Sequence, residues 1–261
     1  LDEWWTEGRF AKEFEERFAK FCGRKYGVAV SSGTAALEVA MGALGLKQGD
    51  EVIMPTFTII SCPLAVMQYG LIPVFVDADP ETWTIDTEKI EEKITKNTRA
   101  IMPVHIYGHP CDMSPILRIA KKYKLKVIED AAEAHGAEYR GARCGSFGDI
   151  SCFSFYANKI ISTGEGGMIV TDSKPYAERA KLFRNLGFDK ERKFIHEVLA
   201  KNYRMTNLQA SLGVAQVKNI QKLIRIKRAN AKHYTERLGE VRGLQLPVEM
   251  PWAKNVYWMY G

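Results

Sequence analysis

Phenylalanines recur at positions 10, 14, 18 and 21, with lysine, glutamate and arginine filling most of the places between them. Spacings of four, four and three predict an amphipathic helix across "GRFAKEFEERFAKFCG" with a phenyl stripe facing a core. Short apolar runs follow: "YGVAVSS", "DEVIMP", "IPVFVD", "RAIMPVH" and "KVIED" read as strands. Helical patterns separate them, from Thr34 to about Leu44, from Pro63 to Tyr69, and in "DTEKIEEKI" and "SPILRIAKKY". "DISCFSF" and "GGMIVTD" predict a hairpin or two neighbouring strands. From about Thr206 one long helix runs through "TNLQASLGVAQVKNIQKLIRIKRANAKHYTERLG". The sequence closes on "NVYWMYG", an aromatic, strand-like run with no partner strand in view, expected to open a second domain that is cut short.

Strand and helix taking turns imply an α/β fold, a three-layer αβα arrangement around a mainly parallel mixed sheet. The expected division is an N-terminal helical segment over 1–25, a large domain over 26–215, and a long connecting helix with the start of a truncated small domain over 216–261. There is no internal repeat and no low-complexity linker.

Composition narrows the function classes only a little. Of 261 residues, 46% are hydrophobic and 26% charged, an ordinary globular balance. No apolar stretch approaches the ~20 residues a bilayer span needs, so no membrane partner is expected. Five cysteines, Cys22, Cys62, Cys111, Cys144 and Cys152, are scattered without a CxxC pair, which argues against a disulfide framework or a metal site and for free thiols in a reducing cytoplasm. The net charge of +6 suits an anionic small molecule as well as nucleic acid, and the basic residues of the long helix read as a solvated face, so no nucleic-acid partner is expected.

Three stretches fall at predicted strand ends, where open parallel sheets bind ligands. In "SSGTAAL", Ser32 and Thr34 offer hydroxyls, Gly33 allows close backbone approach, and a helix begins with its unpaired N–H groups. That is a phosphate cradle in kind, and also a common helix cap. In "VIEDAAEAHGA", Asp130 ends a strongly apolar strand, where a carboxylate needs a cation or donors; capping the next helix is the simpler alternative. Glu133 and His135 lie close by, and His135 reads first as a core histidine. In "NKIISTGEGGM", Lys159 follows the strand that carries Ser154. It is either a surface charge before a turn or an amine whose basicity is lowered by apolar surroundings. Lys159 lies 29 residues beyond Asp130. Cradle, acid and lysine together match one ligand, pyridoxal 5'-phosphate (PLP), which presents a phosphate, a pyridine nitrogen and an aldehyde.

Those stretches, with "GDEVIMPTFT", "PVFVDADPETWTID", "PVHIYGHPCDM", "GSFGDISCFSF" and "NYRMTNLQASLG", run in the order of a known family. The chain resembles the DegT/StrS PLP-dependent nucleotide-sugar aminotransferases, within the aspartate-aminotransferase fold (fold type I), and "NKxxxTGEGGM" looks most like the branch that aminates a GDP-linked 4-keto-6-deoxy sugar. The resemblance implies Lys159 as Schiff-base lysine and proton carrier, and Asp130 as partner of the pyridine nitrogen. It implies Ser32, Gly33, Thr34 and Ser154 around the phosphate and Glu133 at the ring hydroxyl. Asn202 is implied to reach the phosphate of the partner subunit in a homodimer with shared sites. Where the family commonly stacks an aromatic residue on the ring, "PTFTII" places Ile59, so this contact is aliphatic or taken over by Phe57. Family chains also continue well beyond "VYWMYG". The implied reaction moves an amino group from an amino acid, glutamate, to a nucleotide-diphosphate keto sugar for cell-surface polysaccharide or glycan biosynthesis. Alternatives are another fold-type I PLP reaction, or a PLP-binding regulator without the chemistry. A sugar 3-dehydratase would carry histidine at the place of Lys159. A Rossmann-like nucleotide binder lacks its GxGxxG.

Overall fold

The computed structural model describes residues 8–188, 194–196 and 198–261; the first seven residues of the expected N-terminal segment lie outside the described residues. The phenyl stripe forms helix α1 (Arg9–Cys22), with Phe14 and Phe18 fully buried and Phe10 and Phe21 half-buried. Gly23 ends it in the left-handed conformation (φ 76°), sending its N–H back to the Lys20 carbonyl.

Then come β1 (Tyr26–Val30), α2 (Gly33–Leu44), β2 (Glu51–Pro55), α3 (Ser61–Met67), β3 (Ile72–Val76), β4 (Thr98–Ile101), α4 (Met113–Tyr123) and β5 (Lys126–Asp130). The chain continues through β6 (Glu138–Tyr139), β7 (Ala142–Arg143), β8 (Ile150–Ser154), β9 (Gly167–Thr171), α5 (Lys174–Arg184), α6 (Asn207–Leu238) and β10 (Ala253–Lys254). Seven strands form one sheet in the order β1-β9-β8-β5-β4-β2-β3. Neighbours from β8 to β3 run parallel, and β9 is inserted antiparallel between β8 and β1. "DISCFSF" and "GGMIVTD" are therefore neighbouring strands, as expected.

Side chains that alternate along each strand feed opposite faces. Val28, Val30, Val52, Met54, Ile128 and Ile169 pack under α2, α3 and α5. Helix α2 is buried from Ala35 to Ala43 and apolar on nearly every side, as a central helix must be, with the exception of Glu38, whose carboxylate accepts from Lys201 and the Tyr203 hydroxyl. On the other face Ala29, Met168 and Val170 meet α1 and α6, while Ile53, Ile101 and Val127 meet α4.

Three expectations need correction. "DTEKIEEKI" is not one helix but two 3₁₀ turns, Thr87–Lys89 and Glu91–Lys93, hinged on the fully buried Ile90. The isoleucine anchors a connection too short for a stable α-helix. "RAIMPVH" is a strand only to Ile101, since Pro103 has no N–H for the ladder; pairing resumes as a single bridge between Val104 and Asp130. "NVYWMYG" is not a strand. The Val256 N–H bonds the Gly108 carbonyl, and Val256 and Trp258 are buried in the core shared by α1 and α6. Just before it, β10 pairs with β6, and α6 runs unbroken past position 216.

Candidate active site

β1, β5 and β8 point the same way, so the turn after Val30, the carboxylate of Asp130 and the segment after Ser154 converge at one edge of the sheet. There they line a cavity of about 330 Å³. Of the residues singled out in the sequence, Ser32, Gly33, Thr34, Ile59, Asp130, Glu133, Ser154 and Lys159 all reach it.

The cradle is built by close approach. Ser32 caps α2, its Oγ accepting from the Ala35 N–H at 3.0 Å. The Thr34 hydroxyl meets that of Ser61, at the start of α3, at 2.9 Å. A Cβ on Gly33 would stand 2.7 Å from the Cβ of Ser154, so glycine is what lets the helix start and the end of β8 touch. The glycines after Lys159 have a related task. A Cβ on Gly167 would lie 2.2 Å from the Ser32 carbonyl oxygen, and one on Gly166 2.3 Å from Thr163 Oγ1. "TGEGG" thus lets β9 enter the sheet against the cradle. The "NYRM" stretch closes the same edge, the Tyr203 carbonyl accepting from the Ser31 N–H at 2.9 Å.

Asp130 is 3% exposed. Its Oδ1 accepts from the Ala132 N–H and its Oδ2 from the Cys62 thiol, both at 3.0 Å. Burial and the neighbouring Asp130 charge push the Cys62 thiol well up, so it stays protonated and serves as donor. Among the described residues no cation pairs with Asp130. A carboxylate so buried, facing a cavity with only neutral donors, leaves a place for a positively charged N–H.

Lys159 sits in the turn after β8, its N–H on the Tyr156 carbonyl, with its side chain 10% exposed. Its Nζ is 3.5 Å from Glu133 Oε1 and 3.6 Å from the centroid of the Trp258 indole. Burial pulls the amine below its ordinary value, against the raising pull of Glu133 and Asp130. Burial also pushes the Glu133 carboxyl up, against the Lys159 charge and the Tyr107 N–H that bonds its Oε2 at 2.6 Å. Desolvation thus works against charge on both partners, and at 3.5 Å the pair is loose. Tyr107 adopts φ 54°, an uncommon left-handed backbone that aims this N–H at Glu133.

Two expected site residues lie elsewhere. Phe57 is exposed and turns its ring edge-on to Trp83 and Tyr107, outside the cavity lining, so of these two residues Ile59 is the one that reaches the cavity. Asn202 is exposed, bridged to Asn185, and does not line this cavity. His135 is a core histidine: fully buried beside Phe18, Phe153 and Phe155, with no well-formed hydrogen bond on either ring nitrogen and only the Ser154 backbone nearby. The sequence reading missed Ser61, Cys62 and Trp258. A hydroxyl opening α3 was a findable signal for Ser61, whereas the other two arrive through long-range packing. All five cysteines are free and buried.

These residues fit the cofactor implied by the resemblance. The cradle offers N–H and hydroxyl donors, Asp130 an unpaired buried anion, and Lys159 an amine facing the same space. Comparison with known proteins agrees. The model of the DegT/DnrJ/EryC1/StrS aminotransferase family matches residues 1–261. The chain is 44% identical to the GDP-perosamine synthase of Caulobacter vibrioides, covering 100% of this chain and 71% of that one. It is 45% identical to the GDP-perosamine synthase of Escherichia coli O157:H7, over 99% and 71%. The crystal structure of DesV from S. venezuelae, in complex with a ketimine intermediate, superposes with a TM-score of 0.95 at 37% identity, covering 99% of this chain and 70% of that one.

Proposed function

Because this chain belongs to the DegT/DnrJ/EryC1/StrS aminotransferase family, and so to the PLP-dependent nucleotide-sugar aminotransferases, we propose that it aminates a GDP-linked 4-keto-6-deoxy sugar with glutamate as donor. The observation that carries this reading is the convergence of Lys159, Asp130 and the Ser32–Thr34 turn on one cavity. Identity of 44–45% to two perosamine synthases supports the choice of sugar.

In this reading the N–H groups at the start of α2, with the Ser32, Thr34 and Ser154 hydroxyls, hold the phosphate. Asp130 holds a proton on the pyridine nitrogen. Bound PLP supplies an electron sink for the carbanion next to the transferred nitrogen. Lys159 takes the α-proton of the donor on its Nζ and later returns a proton to the sugar carbon; burial lowers the basicity of this amine, which eases the release of its proton. Glu133, fixed by the Tyr107 N–H, faces Nζ across 3.5 Å and would meet the ring hydroxyl of the cofactor. Ile59 walls one side of the cavity.

The protein works as a homodimer with shared sites. Ile60, Leu64 and Met67 form an exposed stripe at helical spacing along α3, directly beside the cavity residues Ile59 and Ser61. Asn202 is exposed at the same sheet edge, free to serve a neighbouring site. No helix among the described residues is long and apolar enough to cross a membrane. A cytoplasmic location is part of this proposal and is in keeping with five free cysteines.

The test is incubation with PLP, glutamate and the GDP-linked 4-keto-6-deoxy sugar. The expected products are the amino sugar and 2-oxoglutarate in equal amounts, with a visible cofactor band that Lys159→Ala abolishes along with turnover. A Lys159→Ala protein with normal turnover would refute the role of the lysine. A native protein that takes up PLP and releases 2-oxoglutarate but leaves this sugar untouched would refute the substrate. PLP uptake with neither half-reaction would favour a regulator.

A further inference from the structure

One side chain fixes Lys159 at two points. The Trp258 indole lies 3.6 Å, centroid to Nζ, from the amine, well inside the ~6 Å range of a cation–π contact. Its Nε1–H donates to the Asn158 carbonyl at 2.8 Å, the peptide bond that leads into Lys159. Backbone and amine of the lysine are thus tied to the same ring. That ring is itself held firmly. Trp258 is buried, and its carbonyl accepts from Lys227 Nζ on α6 at 3.0 Å. Two residues earlier, Val256 presses on Gly108, where a Cβ would meet Val256 Cγ2 at 2.7 Å. Trp258 also neighbours Tyr107, the residue that holds Glu133.

We propose that Trp258 is a positioning residue for the reactive lysine: the indole face holds the Lys159 ammonium at the cavity wall, and the indole N–H holds the Asn158 carbonyl so that the amine returns to one location between proton transfers. The proposal rests on Lys159 being the reactive amine and goes beyond that assignment by naming what steers it. A π face favours the charged amine and so opposes the effect of burial. The titratable and charged groups that share this environment are Asp130, Glu133 and His135 around the end of β5, His105 and Tyr107 after β4, Cys152 on β8, Tyr156 and Glu165 between β8 and β9, and Lys227 on α6. A substitution confined to Trp258 alters none of these side chains.

The experiment uses the full chain freed of cofactor, acetylated briefly with acetic anhydride across a pH series, with the Lys159 peptide quantified by mass spectrometry. Trp258→Leu, which keeps apolar bulk and loses the π face, should move the Lys159 labelling midpoint down by about one pH unit. Trp258→Phe, which keeps a π face and loses the N–H, should stay within a few tenths of a unit of native while hydrogen exchange quickens around Asn158. A Trp258→Leu profile that overlays the native one overturns the proposal. A Trp258→Phe profile displaced as far as Trp258→Leu overturns the role of the ring. Should circular dichroism show Trp258→Leu unfolded, Trp258→Met takes its place with the same expectation. Neither donor nor sugar is present, so a wrong substrate leaves the result intact. Native protein that shows no visible band on adding PLP would instead fault the assignment of Lys159.

Discussion

A histidine buried without a well-formed hydrogen bond on either ring nitrogen carries a cost that shows in pH. His135 sits among Phe18, Phe153 and Phe155, and burial, helped by the Lys159 charge and opposed by the Ser154 backbone, pulls its pKa from 6.5 down to about 3. The folded protein therefore holds it neutral while the unfolded chain protonates it. The stability tied to this residue is complete above about pH 6.5, falls as pH drops, and levels off below about 3. Between pH 7 and pH 5 the loss from this one residue is about 2 kcal/mol, at ~1.4 kcal/mol per pH unit. His135→Leu should shed that loss, so denaturant melts at the two pH values should differ by about 2 kcal/mol less in the variant than in the native protein. Parallel pH dependence in the two proteins would show that His135 titrates normally. A core histidine is the first reading of this position from its neighbours in the chain, and the packing bears that out. Those neighbours hold no sign that the imidazole lacks a well-formed hydrogen bond, because the Phe18 ring comes from a helix more than a hundred residues away. The same limit separates the site residues. Ser32, Asp130 and Lys159 stand at strand ends and announce themselves by that position. Cys62 and Trp258 touch Asp130 and Lys159 only because α3 and the tail fold over the sheet edge.

At the scale of elements, period and packing disagree at one place that can be measured. Gly213 lies within α6, where alanine is worth ~1 kcal/mol more than glycine by intrinsic propensity. Yet a Cβ there would stand 2.7 Å from the Phe14 ring, and Phe14 is fully buried with its ring 4.8 Å from that of Phe155. The ring has nowhere to go, so overpacking at ~1–3 kcal/mol outweighs propensity. Gly213→Ala should lower unfolding stability by about 1 kcal/mol in a urea melt, the middle of the overpacking range less the propensity gained; a more stable variant would mean that α1 shifts to admit the methyl. The stripe on α1 was legible because helical period alone specifies a buried face, and the strands were legible because their apolar runs are bounded by turns. "DTEKIEEKI" misled because Ile90 and Ile94 at a spacing of four look helical, while one buried isoleucine is enough to anchor two 3₁₀ turns. "NVYWMYG" misled because aromatic and β-branched residues favour strands wherever they pack on a flat surface. Here Val256 and Trp258 fill a core from an irregular segment instead.

For the whole molecule, the exposed face of α3 has to be explained together with Asn202. Ile60, Leu64 and Met67 are 64%, 51% and 58% exposed and lie on one side of a short helix whose first turn borders the cavity. Burying each against a partner is worth roughly 1.5–3 kcal/mol at full burial, less in proportion to what is already covered. A second copy seated there would bring its own chain to the rim of the cavity, which is where a residue reaching across to the phosphate must arrive. Two substitutions separate assembly from sharing. Leu64→Glu puts a charge in the middle of the stripe and should shift the protein from dimer to monomer in sedimentation at micromolar concentration. PLP affinity should fall with it. Asn202→Ala touches neither the stripe nor the residues of its own cavity, so the dimer should persist while PLP binds at least several-fold more weakly. A native monomer at tens of micromolar would remove the dimer from the proposal. A dimeric Asn202→Ala protein with unchanged PLP affinity would leave the assembly standing and show that each subunit completes its phosphate site alone.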